Sequence, residues 1–335
     1  MFSSMQVSRR RVSALLAALA AGGLWGPIAR GQEKPAVNTL TLVLGSQAGS
    51  TTDYLCRKLA EVLKPGYANN VLVHNRTGAS LQVAIIDVKN AAPNGATALV
   101  TPSPPIVIFP LTYKKLPYDP NTDLVPVALL GEFEGAYAVG PMVPESVTNM
   151  REYYAWCKAN PDKAAFGSPA AGSSLHLVGS MAARLAGVDV LHVPYRGPTP
   201  AVTEMVGGQI SAAISVIGDF QEYVKAGNCR ILATTGYERS RFTPDVPTFI
   251  EQGFKDFGWV EWYGMFLPAG TSDALVQRLS ADLKTILADP GMIAALEEQS
   301  IEAKWAGPKE FASIIQTYRT RWAPVVEALE FSVDS

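Results

Sequence analysis

The sequence predicts an α/β protein made of two similar units, and three observations support this. Apolar runs of strand length alternate with segments of helical periodicity. This alternation restarts after residue 139, which suggests a second unit. Hydrophobic residues make up 48% and charged residues 17% of 335 positions, enough apolar material for buried cores. Such alternation is typical of mostly parallel sheets flanked by helices.

The first unit is predicted as three strands that alternate with two helices. Leu55, Leu59 and Val62 recur on one face of the first helix, and a proline-rich turn at 102–105 ends the third strand. In chain order, the elements are predicted at Leu40–Leu44, Thr52–Leu63, Val71–Val73, Leu81–Val88 and Thr97–Val100.

The second unit repeats this alternation and is followed by a strand and three helices. In chain order, its elements are predicted at Asn149–Ala159, a strand ending at Gly167, Ser174–Leu185, Val190–Val193, Ala201–Val206, Ile210–Ile217 and Arg230–Thr234. The tail is predicted as Tyr263–Leu267, Ser272–Leu287, Gly291–Gln299 and Pro308–Leu329. Two such units with a helical tail predict a protein of two lobes with a cleft between them.

The N-terminus has the pattern of a secretory signal peptide over residues 1–31. Arg9, Arg10 and Arg11 precede the apolar run Val12–Leu24, and small residues at the −3 and −1 positions, Ala29 and Gly31, precede a cleavage point after Gly31. The run is shorter than the ~20 residues that a membrane-spanning helix needs. We therefore expect a soluble, exported, periplasmic protein, with the Sec and twin-arginine routes both open.

Charge and cysteine content exclude several classes. A net charge of −2 with high hydrophobicity argues against disorder and against a nucleic-acid-binding protein. Cys56, Cys157 and Cys229 show no metal-binding spacing. One disulfide among them is open, but small buried apolar side chains are the favoured interpretation.

The segments that follow the predicted strands are candidates for a ligand site. In open α/β sheets, ligands bind beyond the carboxyl ends of the strands. These segments are rich in Gly, Ser and Thr, and several open into helices, whose first-turn N–H groups favour an anion. The segments are 45–53, 75–80, 101–103, 167–174 and 195–197. For any one of them an ordinary helix N-cap is the simpler role, but their recurrence in both units indicates a carboxylate site.

Signals for catalysis are weak. The Ser173–His176 stretch lacks the final glycine of a nucleophile elbow, so a Ser174/His176 hydrolase is only an alternative hypothesis. His176 either faces the cleft or caps local structure, and His192 is interpreted as a core residue. Asp53 and Asp219 lie near the candidate loops, where each could simply cap a helix. No cofactor or metal is expected.

Short motifs in a fixed order also resemble the Bug-type periplasmic receptors of tripartite tricarboxylate transporters. They span most of the chain after the signal peptide: Ala48-Gly49 with Thr52-Asp53, His74–Ala79, Ala92–Gly95, Tyr118–Pro120, Ser173–Leu177, His192–Gly197, Gly207–Gln209, Pro244–Thr248 and Pro268–Thr271.

The resemblance implies a two-lobed periplasmic-binding-protein fold of type II that closes on its ligand like a Venus flytrap. Lobe 1 would comprise residues 32–136 and 258–335, and lobe 2 residues 137–257. The implied ligand-binding residues are Ser46, Gln47, Gly49, Ser50, Thr51, Asp53, Ala79, Ser80, Ser103, Ser168, Gly172, Ser173, Ser174, His176 and Arg196.

The sequence departs from the family pattern in its loops. Ser50 replaces a second glycine of the first loop, and Leu81 replaces the last glycine of the second. Ser215 stands where the family often has an acid.

The resemblance implies a monomeric receptor that delivers a di- or tricarboxylic acid, an amino acid or an aromatic acid to membrane permease subunits. A receptor that reports to a signalling kinase is the alternative within the same fold.

Overall fold

The computed structural model describes residues 34–64, 66–255, 257–329 and 331–333. The predicted signal peptide, residues 1–31, lies outside this part of the chain. The strands are β1 Val37–Leu44, β2 Ala68–Asn75, β3 Thr97–Pro102, β4 Leu124–Phe133, β5 Gly135–Val139, β6 Ala165–Ser168, β7 Leu191–Pro194, β8 Ala212–Val216, β9 Arg230–Thr234, β10 Glu261–Pro268 and β11 Glu302–Ala306.

Helices connect these strands. They are α1 Thr51–Val62, α2 Gln82–Lys89, α3 Pro104–Val107, α4 Phe109–Thr112, α5 Met150–Ala159, α6 Ser174–Leu185, α7 Pro198–Val206, α8 Ile217–Lys225, α9 Asp273–Leu287, α10 Pro290–Glu297 and α11 Pro308–Leu329. None of the helices described here is long and apolar enough to cross a membrane.

The strands form two sheets that share the same order of four strands: β2-β1-β3-β10 in the first corresponds to β7-β6-β8-β5 in the second. The first sheet runs β11-β4-β10-β3-β1-β2, and the second runs β7-β6-β8-β5-β9. In the first, β1 pairs in parallel with β2 and β3, while β10 lies antiparallel between β3 and β4. In the second, β6 pairs in parallel with β7 and β8, while β5 lies antiparallel between β8 and β9. Each sheet therefore has three parallel strands followed by one antiparallel strand.

Each antiparallel strand enters its sheet directly after the chain has crossed from the other one. The first crossing needs only Glu134, between β4 and β5, and the second runs through residues 235–260 before β10. The residues from Pro35 onward form one compact unit. The division into lobes at 136/137 and 257/258 stays a prediction.

A shared apolar core joins the two sheets. It includes Phe266 of β10 and Phe311 of α11, together with Tyr137 of β5 and Phe166 of β6. The C-terminal helix α11 thus packs on the first sheet. Cys56, Cys157 and Cys229 are buried and free, as small apolar side chains would be.

The pattern does not predict three features of the fold. The proline-rich turn after β3 continues into the short helices α3 and α4. The apolar run Ile210–Ile217 divides into β8 and the start of α8, because periodicity cannot show where a fully apolar strand ends and a helix begins. Strand β11 is not predicted, because the charged and exposed Glu302 and Lys304 give its sequence the polarity of a loop.

The packing of α11 against β10 gives a test of the fold. A methyl group added at Gly264 would collide with the Phe311 ring, with Cε1 only 2.8 Å away. We expect Gly264→Ala to lower the free energy of unfolding by about 1–3 kcal/mol in urea titrations, because the core must shift. In Gly66→Ala the new methyl group would meet its nearest atoms at 3.9 and 4.0 Å, so this control should stay within about 0.5 kcal/mol of wild type. Equal effects of the two substitutions would contradict the packing.

Candidate functional site

A cleft that encloses about 500 Å³ of space, open solvent included, lies where segments that follow strands of both sheets meet. Ser46 follows β1, Pro104 follows β3, Pro169 follows β6 and Asp219 follows β8. The lining residues are Ser46, Thr52, Leu81, Pro102, Pro104, Phe133, Pro169, Ala170, Ser173, Leu175, Pro198, Ser215, Val216, Asp219, Glu261 and Tyr263. This is the edge at which open α/β sheets bind their ligands.

Most of the cleft wall is apolar. Four proline rings line it, and Phe133 and Tyr263 stack with ring centroids 4.3 Å apart and planes at 29°. Each of these two aromatic residues lies beside a crossing between the sheets: Phe133 ends β4 and Tyr263 is near the start of β10. The wall therefore suits a ligand with an apolar body and a few polar groups.

The loop before α1 is closed by its own hydrogen bonds. Ser50 is the N-cap: its Oγ accepts a bond from Asp53 N at 3.3 Å and donates to Gln47 O at 2.8 Å. Gly49 has φ +82°, in the left-handed region that favours glycine, and its N–H donates to Asp53 Oδ2 at 3.0 Å. Ser50 and Gly49 thus hold the loop in shape.

Asp53 is a buried carboxylate whose negative charge is balanced within the protein. Arg57 donates to its two oxygens at 2.8 and 3.1 Å, and Asn75 donates at 2.9 Å. Burial alone would raise the pKa of Asp53, but these bonds and that of Gly49 outweigh it and lower the pKa. Asp53 is therefore an ionised anchor of the loop.

Asp219 connects the two sheets across the cleft. Thr51, the first residue of α1, donates to its Oδ1 from both the backbone N, at 3.1 Å, and Oγ1, at 2.8 Å. Ser215 donates to Oδ2 at 2.6 Å. Burial raises the pKa of Asp219, although these bonds and one from Val216 N oppose the rise. A protein carboxylate thus occupies the helix N-terminus at which the sequence predicts a ligand carboxylate.

Glu261 makes a second connection, at the start of β10. It is 2% exposed and lies at the cleft. Ser103, which follows β3, donates to its Oε2, and Ser174, the first residue of α6, donates to its Oε1. Trp259 Nε1 also donates to Oε1, at 3.2 Å. Burial raises the pKa of Glu261, against the effect of these three donors.

The loop before α6 has a similar local design. Ser173 is the N-cap: its Oγ accepts from His176 N at 3.3 Å and donates to Ala170 O at 2.8 Å. The N–H of Gly172 donates to His176 Nδ1 at 3.0 Å. His176 therefore caps local structure.

Two histidines stack beneath this loop. The rings of His176 and His192 lie 3.5 Å apart at 15°, and His192 Nε2 bonds Ser168 Oγ at 2.8 Å. Burial lowers the pKa of His176 to about 4. Burial and the His176 charge lower that of His192 to about 3. Both rings are neutral at pH 7 and serve packing.

The hydrolase hypothesis fails on the hydrogen bonds of its two residues. Ser174 Oγ donates to Glu261, while His176 Nδ1 accepts from the backbone of Gly172. Neither bond joins the serine to the histidine, so the pair is not arranged as nucleophile and base.

The second predicted loop has a left-handed backbone over four consecutive residues. The φ angles are +130° at Gly78, +45° at Ala79, +52° at Ser80 and +73° at Leu81. Leu81 lines the cleft and lies against Gly45. The family resemblance has glycine at this position, so this chain keeps a backbone suited to glycine and adds an apolar side chain to the wall.

The remaining predicted residues lie around this cleft at different depths. Ser46 and Ser173 line it. The hydroxyl of Thr51 donates to Asp219, and those of Ser103 and Ser174 donate to Glu261, the two carboxylates that line the cleft. Gln47 donates to the backbone O of Arg196, whose side chain is exposed. Ala79 is exposed, and Ser80 is partly exposed.

Sequence reasoning missed Glu261, and it placed Asp219 near the candidate loops with helix capping as the simpler role. Glu261 is a single acid within the run Val260–Leu267, which is otherwise apolar apart from Gly264, and a lone charge in a buried strand is a usable signal. Among the described residues, no cluster of His, Cys, Asp and Glu could hold a metal ion.

The left-handed loop gives a test with a matched control. Because a left-handed φ strains residues that carry a Cβ, we expect the exposed Ala79→Gly to raise the free energy of unfolding by roughly 0.5–1 kcal/mol. The same change at exposed Ala155 in α5 should lower it by about 1 kcal/mol, because glycine weakens a helix. Urea titrations measure both, and a loss of stability in Ala79→Gly would contradict the loop geometry.

The histidine stack predicts a dependence of stability on pH. The unfolded chain binds protons near pH 6.5, whereas the folded rings bind them only near the lower values of about 4 and about 3. Their stabilisation is therefore present above pH 6.5 and is lost as the pH falls toward 4. In His192→Gln, the slope of the unfolding free energy between pH 4.5 and 6 should fall by about 1 kcal/mol per pH unit. Identical slopes for variant and wild type would contradict the neutral state of the partly buried His192.

Comparison with known proteins agrees with the fold. The family model described as "Tripartite tricarboxylate transporter family receptor" matches residues 55–331. Protein BugT of Bordetella pertussis is 28% identical over 288 residues, which cover 86% of this chain and 88% of that protein.

Solved structures with bound ligands are also similar. An R. palustris protein with adipate has a TM-score of 0.84 at 25% identity, covering 90% of this chain and 99% of the other. MatC from Rhodopseudomonas palustris with bound malate has a TM-score of 0.79 at 27% identity, covering 86% and 99%. These matches confirm the predicted fold class and the predicted resemblance, and they identify a binding protein, as opposed to an enzyme. The chain belongs to the receptor family of the tripartite tricarboxylate transporters.

Proposed function

We propose that this protein is an exported receptor that captures a small carboxylate-bearing organic acid in the cleft and delivers it to the permease subunits of a tripartite tricarboxylate-type transporter. Family membership supports the transport role. The predicted signal peptide, residues 1–31, supports a periplasmic location. The receptor acts as a monomer and needs no cofactor.

The observation that carries this proposal is that both sheets contribute to one cleft. Ser46 and Tyr263 come from the first sheet's segments, and Ser173 and Ser215 from those of the second. A ligand that contacts both sides stabilises the closed arrangement over any open one, because only closure brings both sets of contacts together.

The cleft chemistry supports a small acid with a short apolar body. Proline, leucine and aromatic side chains form most of the wall, and serine and threonine hydroxyls supply neutral donors. Similar structures hold adipate and malate, which are acids of this size. Ser46 and Ser173 are the predicted site residues that could touch such a ligand directly.

A ligand screen tests the proposal. The chain from residue 32 onward is refolded from denaturant to remove any carried-over ligand and then heated with mono-, di- and tricarboxylic, amino and aromatic acids. A ligand at a hundred times its dissociation constant should stabilise the fold by ~2.7 kcal/mol, a clear rise in Tm. No shift with any acid in the panel would contradict the proposal.

A cleft substitution tests whether a hit binds at this site. Ser46 is 3% exposed and lines the cleft. We expect Ser46→Ala to weaken binding of the best acid by about 0.5–1.5 kcal/mol in calorimetry, because a hydroxyl donor is lost. The control Ser313→Ala removes an exposed hydroxyl of α11 that donates only to Lys309 O at 3.2 Å. It should leave binding unchanged, and equal affinities of both variants would place the ligand elsewhere.

A further inference from the structure

The cleft contains two carboxylates whose charge no basic side chain balances. Glu261 and Asp219 both line it, and none of the described residues that line it is Lys, Arg or His. Burial raises the pKa of Tyr263, and the negative charges of Asp219 and Glu261 raise it further, so the phenol is close enough to sense both carboxylates. For a receptor of anionic acids this is an unexpected electrostatic environment, because like charges repel the ligand.

The hydrogen-bond donors around these carboxylates are all neutral. Glu261 accepts from Ser103, Ser174 and Trp259. Asp219 accepts from Thr51, Ser215 and Val216. The indole N–H of Trp259 and the backbone N–H of Thr51 can only donate, so the oxygens that they face act as acceptors.

Counting acceptor sites leaves room at Glu261. A carboxylate accepts about four hydrogen bonds. Asp219 accepts three hydrogen bonds, two of them from Thr51, and the backbone N–H of Val216 also lowers its pKa. Glu261 receives two at Oε1 and one at Oε2. Glu261 therefore has an open acceptor site on Oε2, and Glu261 lines the cleft.

Two carboxylates outside the cleft pair with cations. Arg57 binds Asp53, which is 2% exposed, and Lys89 lies 2.8 Å from the partly exposed Asp123. Glu134 accepts from Ser240 instead, and burial raises its pKa to about 7. An unpaired buried charge is strongly unfavourable, so a structural carboxylate normally has such a partner. The two cleft carboxylates differ from these in having a cavity on one side.

We infer that the ligand carries a protonated nitrogen as well as its carboxylate, and that this nitrogen donates to Glu261 Oε2 while its charge balances Asp219. This inference rests on the proposed function and narrows the ligand class to amino-substituted acids with a short apolar body. The Ser46 hydroxyl is a donor for the ligand carboxylate.

The rival arrangement is a pair of protonated carboxyl groups that donate to an anionic ligand. The groups that face Glu261 are Ser103, Ser174, Trp259, Tyr263 and Tyr318, and those that face Asp219 are Thr51, Ser215, Val216 N and Tyr263. The two arrangements predict opposite pH effects: the affinity for an ammonium ligand rises as the carboxyl groups lose their protons, and the affinity for a dianion falls.

Pairs of probes with matched length separate these arrangements. Calorimetry at pH 7.5 compares 6-aminohexanoate with adipate, and 4-(aminomethyl)benzoate with terephthalate. We expect the amino acid of at least one pair to bind at least tenfold more tightly than its diacid, and this preference to grow between pH 5 and 8. Tighter binding of the diacid in both pairs would overturn the inference and leave the proposed function intact. Binding of none of the four probes would overturn the inference, whereas the proposed function would be overturned only if every acid of the wider panel also failed to bind.

Variants locate the preference at the two carboxylates. Glu261→Gln and Asp219→Asn keep the shape of each side chain and remove its charge, and each should reduce the preference for the amino acid at least threefold. Glu222→Gln removes a charge from the same helix as Asp219, but Glu222 is exposed and pairs only with Lys225 at 2.8 Å, so this control should keep the preference. Unfolding curves confirm that each variant is folded. An unchanged preference in folded Glu261→Gln and Asp219→Asn would overturn the assignment to these residues.

Discussion

Glu261 is the first residue of β10, and the hydrogen bonds to its carboxylate are the interaction on which the cleft depends. Ser103 donates from the end of β3 and Ser174 from the start of α6, so one side chain joins segments of both sheets where the chain returns to the first. Burial makes its charge unfavourable, and only these donors stabilise it. The position is therefore both a structural connection and the main determinant of the cleft's electrostatics.

The matching order of the two sheets explains why the cleft forms here. In each sheet, the carboxyl ends of the three parallel strands lie on the same side. The antiparallel strand of each sheet begins where the chain has just crossed from the other sheet. The loops after β1, β3, β6 and β8 consequently meet near the crossings, beside Phe133 and Tyr263. Thr51 and Asp219 add a second bridge, from the N-terminus of α1 to that of α8.

The sequence predicted the parallel strands, most helices and the loops that meet at the cleft, because periodicity and glycine-rich strand ends are local signals. It could not predict the partners of Thr51 or Ser174, because those bonds join residues distant in sequence. The left-handed backbone at Leu81 could not be predicted for a different reason. Leucine rarely adopts a positive φ, and only the glycine that the related family has at this position indicates it. Individual ligand contacts stay a prediction.

The exchange of protons on binding tests the central claim most directly. Calorimetry of 6-aminohexanoate in buffers of different ionisation enthalpy, at several pH values between 5 and 8, counts the protons exchanged. An ammonium group beside Glu261 and Asp219 stabilises their ionised forms, so the account predicts net proton release that is smaller in Glu261→Gln. Net proton uptake at any pH in this range would contradict it.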